Sequence, residues 1–366
     1  MRFACDRGTL VEKLNILARG VSTRSALPVL SGVLLQARDG RLDLFSTDME
    51  LSIKATIATT VEAEGEAVVP ARLFADVVKN MAGADVRVES SESVVKVTSG
   101  NAVFTLNSWL ASDFPQTSAF DMEQAFAVGA DPFLETLEKV GRAASRDETR
   151  PILTGVLVTI GGGKLKMVAT DSYRLAVKET VLEGGPADET QAIVPVKALG
   201  EVQRLGAALE GGELRVALTD NQALFQVDDV WIATRLIDGQ FPNYRQLVPE
   251  SFDHAVEMDR DELLGTTRRV SLMAQKNAPL RLQFDDGKLT IRAVTQDVGQ
   301  AEEAVEVPFE GEAFEIGFNP GFLIDGLDGV SGDTVTLKFI NPLRPGLVTG
   351  SDESFFYLIM PIRLSN

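Results

Sequence analysis

The sequence predicts an α+β protein made of three copies of one domain, each with antiparallel sheets and two helices. Three observations carry that reading: short landmarks return at nearly constant spacing, alternation at period two fills most of each copy, and two helical patterns interrupt it at matching places. A shift of 123 residues between copies is the size of a whole domain, far beyond a solenoid unit of roughly 20 to 50 residues. The copies read as residues 1–121, 122–250 and 251–366.

The landmarks fix the register. Leu27-Pro28-Val29-Leu30-Ser31-Gly32-Val33-Leu34 returns as Arg150-Pro151-Ile152-Leu153-Thr154-Gly155-Val156-Leu157, and Thr47-Asp48 as Thr170-Asp171, both 123 residues later. Val69-Pro70-Ala71-Arg72 returns as Val194-Pro195-Val196-Lys197, and Asp113-Phe114-Pro115 as Gln240-Phe241-Pro242. The third copy is fainter: Gly163-Lys164-Leu165 recurs as Gly287-Lys288-Leu289, Thr170 as Thr295, and Pro195 falls on Asn319.

Each copy opens with a short strand, an acidic helix entry and an amphipathic helix. In the first, Asp6 precedes Leu10, Leu14, Leu17 and Val21, with Lys13, Arg19 and Arg24 off the apolar stripe. In the second, Asp131-Pro132 predicts an N-cap and a first-turn proline, with Phe133, Leu137, Val140 and Ala144 on one face and Lys139, Arg142 and Arg146 on the other. In the third, Asp259 and Glu262 have capping-box spacing ahead of Leu263, Val270 and Arg268-Arg269. A hairpin follows in every copy, turning at Asp39-Gly40, Gly161-Gly162-Gly163 and Asp286-Gly287. A second helix comes after each Val-Pro or Asn-Pro landmark: Leu73–Val78 with Arg72 and Lys79, Ala198–Val202 with Lys197 and Arg204, and Gly321–Leu327 with no basic residue. Further antiparallel strands are predicted at Val86–Glu89, Val94–Val97, Leu214–Ala217 and Val335–Phe339.

Composition bounds the function. Hydrophobic residues make up 45% of the chain and no run of 18 apolar residues exists, so a membrane-spanning helix is not expected. The N-terminus meets Asp6 before any apolar run, unlike a secretory signal, and the single cysteine, Cys5, fits a reducing cytoplasm. The single histidine, His254, leaves no room for a multi-histidine metal site and, beside Asp253 at an inter-repeat join, reads as a solvated linker residue. The net charge of −18 argues against a simple DNA-binding surface, but basic residues on five of six helices at corresponding places make the distribution count for more than the sum.

The catalytic candidates fail on spacing. Gly161-Gly162-Gly163-Lys164 lacks the earlier glycine and the following Ser or Thr of a phosphate loop, and strands flank it. Thr170, Asp171 and Arg174 could be imagined as an enzyme's cleft site, yet Asp48 stands at the same place in the first copy, which favours a capped turn at a strand end. No cofactor or metal is called for. A purely structural scaffold would explain the triplication but not the recurring basic helices.

Over nearly its whole length the chain resembles the bacterial DNA sliding clamp family, the beta subunit of DNA polymerase III. The matches are Thr23–Leu30 (TRSALPVL), Asp147–Pro151 (DETRP), Ala169–Ala176 (ATDSYRLA), Asp238–Tyr244 (DGQFPNY) and Met360–Leu364 (MPIRL). The resemblance implies three clamp domains per chain and a head-to-tail homodimer forming a closed ring around double-stranded DNA. It further implies a non-catalytic role in the cytoplasm, conferring processivity. Helices lining the hole would bring Lys13, Arg19, Arg24, Arg72, Lys79, Lys139, Arg142, Arg146, Arg150, Lys197, Arg204, Arg268 and Arg269 near phosphates. Partners would be the DNA polymerase III catalytic subunit, a separate clamp loader, and other polymerases and repair proteins through short linear motifs, with no membrane. Their pocket, between the second and third domains, would be lined by Thr170, Ser172, Tyr173, Arg174, Leu175, Pro242, Leu247, Asn319, Phe322, Leu343, Leu358, Met360, Pro361, Ile362 and Arg363. Ser172, Tyr173, Gln246 and Phe322 stand where the family can have Gly, His, Arg and Tyr. The ring joint would bring Phe104 and Leu106 to Leu272 and Met273 of the other chain.

Overall fold

In a computed structural model, residues 1–22, 26–115, 120, 122–123, 125–209, 211–275, 278–297 and 299–364 are described. Six α-helices are found among them: α1 (Arg7–Leu17), α2 (Ala71–Lys79), α3 (Ala130–Gly141), α4 (Val196–Gly206), α5 (Arg260–Ser271) and α6 (Pro320–Gly329). Each begins near where the periodicity places it, but α1 ends at Leu17 and α3 at Gly141, so Arg19 and Val21, and Ala144 and Arg146, lie beyond the helices expected to carry them. Asp6 caps α1, accepting from the Thr9 N–H at 2.7 Å, and Asp259 caps α5, accepting from the Glu262 N–H at 2.7 Å. The entry to α3 differs from expectation: the helix begins at Ala130 with Gly129 as its cap, and Asp131 lies in the first turn, where its charge still faces the positive end of the helix dipole.

The chain divides into two compact units, residues 1–127, 204–209 and 213–236 in one, the remainder in the other. In the first unit, a five-stranded antiparallel sheet runs Thr60–Ala63, Arg2–Asp6, Asp85–Ser90, Val94–Ser99, Ala102–Asn107. A second, eight-stranded sheet sets Phe126–Gly129, Glu213–Leu218, Gln222–Val227 and Val230–Arg235 of the second repeat beside Leu51–Ala58, Arg41–Thr47, Gly32–Arg38 and Gly65–Pro70 of the first. The splice is Val230–Thr234 against Leu51–Ala55, with Ile232 opposite Ile53.

The second unit repeats the device. Its eight-stranded sheet runs Thr190–Pro195, Gly155–Gly161, Lys164–Thr170, Arg174–Val181, then Phe355–Ile359, Gly346–Gly350, Thr334–Phe339 and His254–Asp259. Here the splice is Arg174–Lys178 against Phe355–Ile359, with Leu175 opposite Leu358. A four-stranded sheet, Gly299–Glu306, Lys288–Thr295, Leu280–Asp285, Phe314–Phe318, completes the unit. Pairing strands across repeats removes sheet edges that would otherwise offer unpaired N–H and C=O groups.

The predicted hairpins form. Asp39 and Gly40 take φ of 49° and 71°, the left-handed pair that a two-residue turn between twisted strands demands. Gly161, Gly162 and Gly163 are all at positive φ, and Gly161–Leu157 pairs in register with Lys164–Val168, so the triple glycine is a turn. His254 departs from its expected place in a solvated linker. It opens a strand, opposite Phe339, and its ring stacks on Phe314 at 5.1 Å and lies against Phe309 at 5.5 Å. No helix among the described residues is long and apolar enough to cross a membrane.

Candidate functional site: a cleft over a sheet splice and a set of basic helices

The turn Thr170–Arg174 shapes one wall of a cleft in the second unit. Asp171 Oδ1 accepts from the Tyr173 and Arg174 N–H groups at 2.9 and 3.1 Å, and the Thr170 hydroxyl donates to the Arg174 carbonyl at 2.6 Å. The first repeat builds the same turn, with Asp48 Oδ1 accepting from Glu50 and Leu51 N–H at 3.1 and 2.8 Å. Ser172 and Met49, at corresponding places, both sit at positive φ, 80° and 78°. The carboxylate of Asp171 accepts from this turn and from Arg174, as the capped turn expected from Asp48 would require.

Arg174 ties the wall to two helices. Its Nε donates to Asp171 Oδ2 at 3.0 Å, while its terminal nitrogens donate to Asp325 on α6, to the carbonyl of Arg142 at the end of α3, and to the Tyr357 hydroxyl at 3.4 Å. The guanidinium lies 4.3 Å over the Phe322 ring. Burial pushes the Tyr357 hydroxyl well up from its ordinary pKa, so it stays a neutral partner. Arg150 pins the turn from outside, donating to the Ser172 hydroxyl at 3.0 Å and to Asp147 at 2.9 Å.

The floor is the splice itself. Leu175, Leu358 and Leu347 lie opposite one another on adjacent strands and join Leu157, Val168, Val177, Ile193 and Phe241 in one buried cluster. Above it opens a volume of about 640 Å³. Of the residues expected from the resemblance, Thr170, Ser172, Arg174, Leu175, Leu247, Leu343, Leu358 and Met360 line it. Leu247, Leu343 and Met360 are exposed apolar side chains at its rim. Tyr173, Pro242, Asn319, Phe322, Pro361, Ile362 and Arg363 are not among the lining. Asn319 is the cap of α6, accepting from the Phe322 N–H at 3.1 Å, and the Ile362 N–H donates to the Gly317 carbonyl at 2.8 Å. Gln246, Pro249, Glu250, Ser251, Ile340, Asn341, Arg344 and Pro345 complete the lining. The only sequence signal for the last four is the pair of prolines, Pro342 and Pro345, that breaks the strand pattern between Phe339 and Gly346.

The basic residues expected to face DNA, of which Arg19, Arg146 and Arg150 lie outside the helices, differ in their surroundings. Arg72, Lys79 and Arg146 are exposed. Lys139, Arg142, Arg150, Arg268 and Arg269 are held by carboxylates: Lys139 by Glu135 at 2.8 Å, Arg142 by Glu138 at 2.8 Å, Arg150 by Asp147, Arg268 by Asp328 at 2.8 Å, and Arg269 by Glu303. Arg19, Lys197 and Arg204 are exposed and engaged with neighbours. Lys13 corrects the sequence reading. It is buried, with its ammonium 2.6 Å from Asp229, because the second repeat's strand is spliced beside α1's sheet and brings that carboxylate over the helix. Arg24 lies outside the described residues.

At the expected ring joint, Phe104 and Leu272 are exposed and Met273 is half-buried. Leu106 is buried opposite Val95 in its own sheet and offers no face to a second chain. Among the described residues no group of three or more His, Cys, Asp or Glu side chains is placed to hold a metal ion.

Comparison with known proteins gives the same family three times along the chain. Residues 1–118 match the N-terminal domain of the DNA polymerase III beta subunit, 127–243 its central domain, and 245–363 its C-terminal domain. The chain is 32% identical to the beta sliding clamp of Streptomyces coelicolor and 33% identical to that of Synechococcus elongatus, covering all of both chains in each case. A sliding clamp (DNA polymerase III subunit beta) from Pseudomonas aeruginosa, solved bound to griselimycin, superposes with a TM-score of 0.91 at 30% identity over the full length of both chains.

Proposed function

This chain belongs to the DNA polymerase III beta-subunit family of sliding clamps, and we propose that it does that family's work through the two surfaces described above. It is a non-catalytic processivity factor: two copies close head to tail into a ring around duplex DNA, and the ring tethers the replicative polymerase. The observation that carries this is the unbroken run of three family domains over the whole chain. We place the domain boundaries after residues 121 and 250 and its site of action in the cytoplasm.

The 640 Å³ cleft supports the docking of short linear motifs from the polymerase catalytic subunit, the clamp loader and other polymerases and repair proteins. Its apolar floor and exposed leucine rim fit one or two large apolar side chains of a partner. Each such side chain contributes about 1.5–3 kcal/mol on burial, so the dock is modest in strength and partners can exchange. The exposed Arg72, Lys79 and Arg146 support weak attraction to phosphates, while closure of the ring supplies retention.

Loading on circular DNA tests the reading. Rings loaded on a closed circle stay bound in high salt and leave when the circle is cut once. Loss at the same rate from intact and cut circles would show that phosphate contacts, not topology, hold the protein.

A further inference from the structure

α6 is the one helix of the six without a basic residue, and it ends on a carboxylate. Asp328 lies in its last turn, where the dipole disfavours negative charge and no lysine or arginine of the same helix offsets it. Two arginines from other helices do. Asp328 Oδ1 accepts from Arg268 of α5 at 2.8 Å, and Oδ2 from Arg142, the residue that closes α3, at 3.3 Å. Arg142 is held from the other side by Glu138 at 2.8 Å. The four side chains sum to zero charge. Asp328 is the most covered of the four, with 23% of its side chain exposed against 39% for Arg142 and 55% for Arg268, so the arginines reach solvent over it.

We propose that Asp328 attenuates DNA contact in the ring, holding Arg142 and Arg268 so that a phosphate must displace a carboxylate to engage them. This rests on the reading that the basic helices face DNA. A guanidinium that trades one oxyanion for another gains little on either exchange. Passage from one phosphate to the next through Asp328 is therefore nearly level, whereas a free arginine would fall into each phosphate and climb out again. A clamp retained by closure has use for that arrangement, since grip adds friction without adding retention. The position of the carboxylate against its own helix dipole is the structural cost of placing it there.

The test measures binding of a fluorescent linear duplex across salt concentrations, in the intact dimer. Asp328→Asn frees Arg268 and leaves Arg142 held by Glu138 alone: affinity at low salt rises by roughly two- to tenfold, and the slope of log affinity against log salt steepens by about one. Asp328→Glu, which keeps the charge, stays with the parent protein. Arg146→Ser, removing an exposed cation without a carboxylate partner in this cluster, weakens binding and flattens the slope by about one. Unchanged or weaker binding by Asp328→Asn, with Arg146→Ser still weakened, overturns the attenuator and leaves the DNA-facing reading standing. No change in either variant overturns both. Should Asp328→Asn fail to form the dimer, Arg268→Gln decides: it loses less affinity than Arg146→Ser if its charge is already spent on Asp328, and an equal or larger loss refutes the idea.

Discussion

Arg174 shows how far a single side chain can carry a site. Four of its five N–H bonds go to Asp171, Asp325, the Arg142 carbonyl and Tyr357, so it holds the cleft wall against two helices at once. Arg174→Ala leaves two carboxylates without their cation, and breaking so covered a cluster destabilises by about 2–4 kcal/mol, less than a fully buried pair because Asp325 remains partly exposed. Arg174→Lys recovers only part of this, since an ammonium cannot reproduce the planar fork. Chemical denaturation of both variants measures it, and a loss below about 0.5 kcal/mol for Arg174→Ala would show the network to be ornamental. Glu179 gives a pH signature. Hydrogen bonds from Lys164, then Lys166, bring its pKa down to about 2 from the ordinary carboxylate range. Its contribution is present in full above the unfolded carboxyl's pKa and fades as pH falls from about 5 through 2. The stability gap between parent and Glu179→Gln therefore shrinks over that window in urea titrations. A gap that stays constant from pH 6 to about 2 would mean the lysines do not hold it in solution. The chain forecast Asp171 as a turn cap because Asp48 repeats it. Lys13 could not be read as buried, because its partner Asp229 is 216 residues away.

Among elements, the duplicated turn is the most instructive. Met49 and Ser172 both adopt left-handed backbone at equivalent places, and neither is glycine. At Ser172 the strain is offset by the hydroxyl, which accepts from Arg150. Met49 has no such bond from its side chain, which is largely exposed, and only its N–H is used, donating to the Thr47 hydroxyl at 3.0 Å. Met49→Gly should stabilise by about 0.5–1 kcal/mol, the relief of the left-handed strain less the added freedom of glycine in the unfolded chain. Ser172→Gly should gain less or nothing, because it also drops the Arg150 bond. Thermal midpoints of the two variants decide this, and destabilisation by Met49→Gly would mean its side chain carries packing that exposure does not suggest. Helices and hairpins were legible because periodicity and turn chemistry are local. The loop Ile340–Pro345 that completes the cleft was not, since a loop has no period and its use depends on which strand lies beside it.

At the scale of the whole molecule, the repeats do not fold as sealed beads. Strands of the second repeat are shared out, four to the first repeat's sheet and four to the third's. Triplication was plain in the sequence; the splice was not, because strand register between distant segments leaves no local trace. Yet the splice explains both surfaces. It makes the cleft floor by setting Leu175 opposite Leu358, and it delivers Asp229 to Lys13. Charge is handled at the same scale. The chain carries −18, and Lys13, Lys139, Arg142, Arg150, Arg268 and Arg269 are held by carboxylates; among the basic residues expected to face DNA that the structure describes, Arg72, Lys79 and Arg146 are exposed and pair with no carboxylate. So few unpaired cations at those positions suit the proposed retention by closure better than retention by grip. Neutralising those three residues together flattens the salt dependence of duplex binding by about 2 to 3 units and slows capture of DNA. The same triple variant, once closed on circular DNA, keeps the residence time of the parent protein in high salt, because no phosphate contact was holding the parent there. Escape from intact circles at a rate that tracks the lost charge would place retention in those three side chains and take it away from the ring.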